Sequence, residues 1–199
     1  MQVYYNESGV LRVLGLEDWN KELTPQEQDL TLVEAAVNGD CRSFTELCHR
    51  YYPAMVALAH SVLGDRHLAE DAAQQAFAKA IRKLPQLREK GQFAAWLAVI
   101  CRNTAKDMAR DTQKFCTAED LSAIPAKSGP DEQTEIVKEA ICELPALAKE
   151  VIFLRYYDGM TYERISAVLG ISEQAINGRL RRAKEHIAHY LRRNGFNKV

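Results

Sequence analysis

Residues 161–184 read TYERISAVLGISEQAINGRLRRAK, and the reading of this stretch decides the fold of the carboxyl-terminal part of the chain. Thr161 can cap a short helix that carries Tyr162, Ile165 and Val168 on one side and stops at Gly170. After the turn Leu169-Gly170-Ile171, Ser172 can cap a longer helix with Ile176, Leu180, Ala183, Ile187 and Leu191 along its buried face. Two helices joined by a tight glycine-containing turn describe a helix-turn-helix, whose second helix enters the DNA major groove. The polar face suits that use: Glu173, Gln174, Asn177, Arg179, Arg181, Arg182 and Lys184 cluster on and after the first turns of the second helix. Side chains near its start can reach base edges, and the arginines further along can hold phosphates. The alternative is a solvated face on an ordinary α-hairpin; the buried spacing and the turn favour DNA.

Upstream of this motif, Ile136, Ala140 and Ile141 form one helical face. Leu144-Pro145 then opens a helix with Leu147, Val151, Ile152 and Leu154, which Asp158-Gly159 ends. Between Asp111 and Asp131 the pattern gives way to Thr, Lys, Ser, Pro and Gly. At about 20 residues this is longer than most connections inside a compact domain and reads as a flexible linker.

The amino-terminal half is helical too. Thr24-Pro25-Gln26-Glu27 is a capping box with proline at the first helical position, followed by Leu30, Val33 and Val37 on one face up to Asn38-Gly39. Phe44, Leu47, Tyr51, Met55, Leu58 and Val62 recur at helical spacing, with Pro53 expected to kink the helix and Gly64 to stop it. Asp65 can cap a helix bearing Leu68, Ala72, Ala76, Ala80 and Leu84, which Pro85 closes. A further helix from Gln92 buries Phe93, Trp96, Leu97, Ile100, Thr104 and Met108. No strand-like alternation of useful length occurs, so the expected fold is all-α: two small helical domains, at residues 29–112 and 132–199, joined by a linker at 113–131 and preceded by an extension at 1–28.

The formal net charge over 199 residues is only -1, which argues against a nucleic-acid partner until its distribution is read. Residues 1–40 carry 2 basic and 8 acidic side chains, 41–115 carry 12 and 7, 116–150 carry 3 and 8, and 151–199 carry 9 and 4. Two basic modules therefore alternate with acidic segments, and local fields rather than the total set phosphate affinity. In the first module Phe93 and Trp96 stand near Lys90, Arg102, Asn103, Lys106 and Arg110, a mixture suited to single-stranded nucleic acid. Aromatic residues at helical spacing equally serve a core, and both are expected to be mostly buried.

No apolar run approaches the length needed to span a bilayer, and the start MQVYYNESGV lacks a signal-peptide pattern, so a cytoplasmic location is expected. Cys41, Cys48, Cys101, Cys116 and Cys142 include no C-x-x-C pair and read as buried thiols of a reducing compartment. Cys41, Cys48 and His49 match no common zinc spacing, and no metal or cofactor is expected. The histidines at 49, 60, 67, 186 and 189 are scattered, and neither a phosphate-binding glycine loop nor a nucleophile elbow occurs. An enzyme is not expected.

Both halves resemble the paired regions 2 and 4 of extracytoplasmic-function sigma factors, the promoter-reading subunits of bacterial RNA polymerase. In the first half the resemblance rests on Asn38-Gly39-Asp40 with Phe44, on Ala69-Glu70-Asp71 with Gln74 and Phe77, and on Phe93, Trp96, Leu97, Ile100, Arg102, Asn103, Asp107 and Arg110 at the family's spacing. In the second it rests on Leu144-Pro145, Leu154, Asp158-Gly159-Met160-Thr161-Tyr162, Ile165, Leu169-Gly170-Ile171-Ser172 and Arg179-Leu180-x-Arg182-Ala183. About 165 residues, from Asp29 to Leu191, follow the family's order.

The resemblance implies that region 2 binds the clamp helices of the polymerase β′ subunit through Glu70, Asp71, Gln74 and Gln75. It implies that the non-template strand of the -10 element is captured by Lys90, Gln92, Arg102, Asn103, Lys106 and Arg110. Region 4 would place Ser172, Glu173, Gln174, Asn177, Arg179, Arg181, Arg182 and Lys184 in the -35 element and touch the β flap. An anti-sigma protein is a further partner usual in the family. Two stretches depart from the pattern: Leu68 stands where an acidic residue is usual and Ala72-Ala73 replaces bulkier residues, while Gln174-Ala175-Ile176-Asn177-Gly178 differs at the start of the recognition helix. The main rival is a stand-alone helix-turn-helix regulator, which would bind duplex operator by itself. A sigma-factor mimic without DNA binding ranks lower, because Arg179, Arg181, Arg182 and Lys184 remain. The amino-terminal extension reads as either a cis-acting inhibitory or stabilising segment or a disordered one.

Overall fold

Alanine at every third or fourth position of residues 66–83 lets neighbouring helices approach closely, and the first helical unit is built around that face. A computed structural model describes residues 3–5, 11–13, 25–115 and 132–195, with side chains from 27 to 111 and from 136 to 195. The unit comprises α1 (Pro25–Val37), α2 (Cys41–Leu63), α3 (Arg66–Lys83) and α4 (Phe93–Phe115). Ala69, Ala72, Ala73, Ala76 and Ala80 of α3 are fully buried, and α3 packs on both α2 and α4. Leu47, Met55 and Leu58 of α2 and Leu97 of α4 fill the space between them. Each such burial stabilises the fold by about 1.5–3 kcal/mol before conformational entropy is subtracted.

The helix ends follow the local chemistry. Asp40 caps α2, its carboxylate accepting from the backbone N–H of Arg42 and Ser43 and, at 2.6 Å, from the Ser43 hydroxyl. These hydrogen bonds, the Ser43 hydroxyl foremost, hold the Asp40 carboxyl below the usual carboxylate range. Asp65 caps α3 through the Leu68 N–H. α2 continues as one helix through Pro53, whose ring lies on the exposed side. The connection from α3 to α4 contains two single 3-10 turns, Leu84–Gln86 and Lys90–Gln92.

The second unit comprises α5 (Glu132–Cys142), α6 (Ala146–Ile152), α7 (Tyr162–Leu169) and α8 (Glu173–Arg193). At Phe153–Tyr157, α6 passes into a π-helical turn, in which the Asp158 N–H reaches the Phe153 carbonyl at 3.1 Å. The wider turn buries Leu154 and leaves Tyr156 and Tyr157 on the surface. Thr161 caps α7 and Ser172 caps α8 through the Arg164 and Ala175 N–H groups. Gly170 takes the left-handed conformation (φ 67°) that the turn between α7 and α8 requires.

Both units are all-α, as the periodicity predicts. A short antiparallel ribbon, β1 (Val3–Tyr5) against β2 (Leu11–Val13), lies in the amino-terminal appendage, with Val3 opposite Val13 and Tyr5 opposite Leu11. Three-residue strands are too short to leave a readable alternation. Thr24 of the capping box and residues 116–131 of the expected linker lie outside the described residues. α4 extends to Phe115, so helix persists into the first residues expected to be linker. The expectation of buried thiols needs correction: Cys101 is buried, and burial pushes its thiol up to about 12, but Cys41 and Cys142 are exposed and Cys48 is half-buried. Cys41 and Cys142 occupy the first and last positions of their helices, off the packed stripes.

Periodicity carries no information about how the two units meet. α4 packs against α7, and α2 against α6 and the π-helical turn, so buried residues form one continuous cluster from Val33 to Ala183. At this junction the His60 ring meets those of Phe153 and Tyr157 in T-shaped geometry, with centroids 4.9 and 5.1 Å away.

Candidate nucleic-acid interface

The α8 helix turns Ile176, Leu180 and Ala183 inward, all at most 2% exposed, against Ile165 and Val168 of α7. That stripe fixes which side chains face out. At 3.6 residues per turn, Gln174, Arg181 and Arg182 project away from the core, with Asn177 and Lys184 on one flank and Arg179 on the other. Gln174, Asn177, Arg181, Arg182 and Lys184 are exposed, as is Glu173. Ser172 is also exposed, and its hydroxyl is committed to the helix cap. Arg179 is half-buried and donates to the Ala175 carbonyl at 3.1 Å. Lys184 sits 5.3 Å over the Tyr156 ring, and hydrogen bonding to Tyr156 is the main cause that raises its pKa. Gln174, Asn177, Arg181, Arg182 and Lys184 therefore share the outward side of α8, where Arg181 lies 4.0 Å from Glu185.

On α3, Glu70, Asp71, Gln74 and Gln75 lie together opposite the buried alanine face. Asp71, Gln74 and Gln75 are exposed, and Glu70 accepts from Arg66 at 2.9 Å. Ala72 and Ala73, which depart from the family pattern, are fully buried. Their small size therefore alters the packing of α3 rather than its acidic and amide surface. Leu68 is half-buried at the start of the helix.

The α4 helix gives the least expected arrangement. Phe93 is 2% exposed and packs edge-on against Tyr51, with centroids 5.5 Å apart, while Trp96 is half-buried beside it. Arg102, Lys106 and Arg110 follow one another at four-residue spacing on one face, with Asn103 beside them. Lys106 and Arg110 are exposed, as is Asn103. Lys90 lies 3.8 Å from Glu34, and Gln92 is exposed in the preceding 3-10 turn.

Arg102, however, points into the second unit. Its Nε donates to Glu150 Oε1 at 2.7 Å and its Nη2 to Oε2 at 3.1 Å, a two-pronged pair. The Glu150 side chain is only 4% exposed and that of Arg102 22%. Around them a cleft of about 550 Å³ is lined by Arg102 and Lys106 of α4, Ala146 and Lys149 of α6, and Leu169 and Ile171 at the end of α7.

Glu150 is the functional candidate that the sequence reading passed over. It lies between Leu147 and Val151 on a helix whose apolar stripe drew attention, and a single acid there reads as a boundary residue. The available signal was its buried register, since Leu147, Glu150, Val151 and Leu154 share one helical face. Among the described residues, no three His, Cys, Asp or Glu side chains converge as a metal ion requires, and no helix is long and apolar enough to cross a membrane.

Comparison with known proteins adds the family. Residues 47–115 match Sigma-70 region 2, and residues 134–187 match Sigma-70, region 4. The chain is 33% identical over 179 residues to RNA polymerase sigma-H factor of Pseudomonas aeruginosa, covering 81% of this chain and 93% of the relative. It is 31% identical to ECF RNA polymerase sigma-E factor of Escherichia coli strain K12, covering 83% of this chain and 95% of that protein. Among solved structures it is similar to CnrH in complex with the cytosolic domain of CnrY, with 27% identity, a TM-score of 0.59 and coverage of 84% of this chain and 99% of that one. A second similar structure is the sigma factor RpoE of Bartonella quintana in complex with the anti-sigma factor NepR, with 26% identity, a TM-score of 0.50 and coverage of 76% and 98%. The matches to region 2 and region 4 fall in order on the two helical units, and the chain belongs to the extracytoplasmic-function sigma factors of RNA polymerase.

Proposed function

We propose that this chain divides promoter recognition between its two units. The surface formed by Glu70, Asp71, Gln74 and Gln75 docks on the β′ clamp helices of core RNA polymerase. Lys90, Gln92, Arg102, Asn103, Lys106 and Arg110 then hold the opened non-template strand of the -10 element. The α8 helix enters the -35 major groove, with Gln174 and Asn177 near base edges and Arg179, Arg181, Arg182 and Lys184 on phosphates. Ser172 and Glu173 set its amino-terminal end, and the remaining surface of the second unit meets the β flap.

The observation that carries this reading is the outward cationic face of α8, fixed by the buried Ile176, Leu180 and Ala183 stripe within a chain that also matches region 2. A stand-alone regulator would have no use for the acidic and amide surface of α3. Opening a duplex requires binding that favours the unstacked strand, not a nucleophile, so polymerase supplies the chemistry and this chain supplies the recognition. On this reading its work is with polymerase in the cytoplasm. Because CnrH is seen in complex with the cytosolic domain of CnrY and RpoE with the anti-sigma factor NepR, an anti-sigma protein is a fitting additional partner.

Sedimentation with purified core polymerase tests the assignment of α3. The chain is expected to co-sediment with core, and Asp71→Lys with Gln74→Lys to abolish this while leaving the helical circular-dichroism spectrum intact. Co-sedimentation of that variant at wild-type level would remove α3 from the polymerase surface.

A further inference from the structure

The first unit's strand-binding face and the second unit compete for one side chain. While Nε and Nη2 of Arg102 lie on Glu150 at 2.7 and 3.1 Å, its charge is neutralised and its two-pronged edge is not free for a DNA phosphate or base. Glu150 belongs to α6 of the second unit, and Lys149, Leu169 and Ile171 line the same cleft as Arg102 and Lys106. The exposed face of α8, by contrast, is left open. We infer that the Arg102–Glu150 pair is an intramolecular latch that holds the two units together and withholds Arg102 from the α4 strand-binding face until the units separate. The inference rests on the reading of α4 as the strand-binding helix.

One end of the latch is dry. A carboxylate only 4% exposed is unfavourable without a partner, and Arg102 is the cation placed to neutralise it. Separation of the units returns both groups to water. Any ligand that binds only the open form then competes with the pair, so apparent affinity falls by the fraction of molecules that are open. The His60, Phe153 and Tyr157 contact, on the α2 side of the same junction, would open in the same motion.

Glu150→Gln keeps the shape of the side chain and removes the charge that holds Arg102. Small-angle scattering of the full chain is expected to show a radius of gyration larger than wild type. Fluorescence anisotropy with a mixed-sequence single-stranded oligonucleotide is expected to show affinity about tenfold higher, which corresponds to a wild-type closed population of about nine in ten. Arg102→Gln combined with Glu150→Gln also lacks the latch but leaves no unpaired charge at the junction, and is expected to keep the larger radius without the gain in affinity, because the strand has lost Arg102. Circular dichroism of each variant separates opening from unfolding.

An unchanged radius and unchanged affinity for folded Glu150→Gln would overturn the latch while leaving the polymerase and promoter reading intact. An increased radius with no gain in affinity would overturn the withholding of Arg102 from the strand. An equal gain in the double variant would overturn the role of Arg102 in the bound strand.

Discussion

Gly178 occupies the sixth position of α8, and replacing it by alanine should make the protein more stable. Glycine in a helix interior costs about 0.8–1 kcal/mol relative to alanine, because its backbone loses more freedom on folding. The gain is realised only if the backbone is helical and the new methyl has room. Both conditions hold: Gly178 lies inside Glu173–Arg193, and a Cβ there would meet only the Arg182 guanidinium, at 3.8 and 3.9 Å, which is ordinary contact. The expected gain is therefore about 1 kcal/mol. With a urea slope of about 1–3 kcal/mol/M, the midpoint should rise by about 0.3–1 M when followed by far-ultraviolet circular dichroism. An unchanged or lowered midpoint would refute the reasoning, since it would mean that the backbone at Gly178 is not helical in solution. The methyl projects from the surface proposed to enter the -35 groove. Transcription by Gly178→Ala then reads whether that surface tolerates one added carbon.

Other predictions concern charge. Arg181→Ala and Arg182→Ala should each weaken promoter binding by the polymerase complex about equally across -35 sequences and lower the slope of log affinity against log salt by about 1, as loss of a phosphate contact does; a change confined to one base position would instead assign that arginine to base reading. Burial lowers the pKa of His60, so the folded chain favours the neutral ring. The stability this represents is present above the ordinary histidine range and is lost as pH falls through that range toward the folded value, because the unfolded chain binds the proton first. Melting temperature should therefore fall between pH 7.5 and 5.5 more steeply for wild type than for His60→Gln, and parallel slopes would exclude His60 as a contributor.

The helices were legible because their signals are local. Asp65, Thr161 and Ser172 announce helix starts, Gly170 marks the turn, and the Ile176, Leu180 and Ala183 spacing fixes the face of α8 without reference to any other part of the chain. The exposed residues of α8 and α3 could be named for the same reason, since an outward face is the complement of an apolar stripe. What could not be read is how the units meet. The Arg102–Glu150 pair joins residues 48 positions apart in sequence, and neither residue differs in type from a solvated charge on an amphipathic helix. The π-helical turn at Phe153–Tyr157 was also invisible, because one added residue per turn leaves the apolar pattern almost unchanged while moving Tyr156 and Tyr157 to the surface. The cysteines misled for a simpler reason: a thiol at a helix terminus is indistinguishable by composition from one on the buried stripe.

Transcription by purified core polymerase on a pool of genomic promoter fragments, with and without this chain and at fixed salt, tests the central claim most directly. The account predicts new start sites that appear only when chain and core are both present and that share two spaced upstream elements. Tight binding of the chain alone to duplex sites, with no chain-dependent initiation by core, would contradict it and return the helix-turn-helix to a stand-alone regulator.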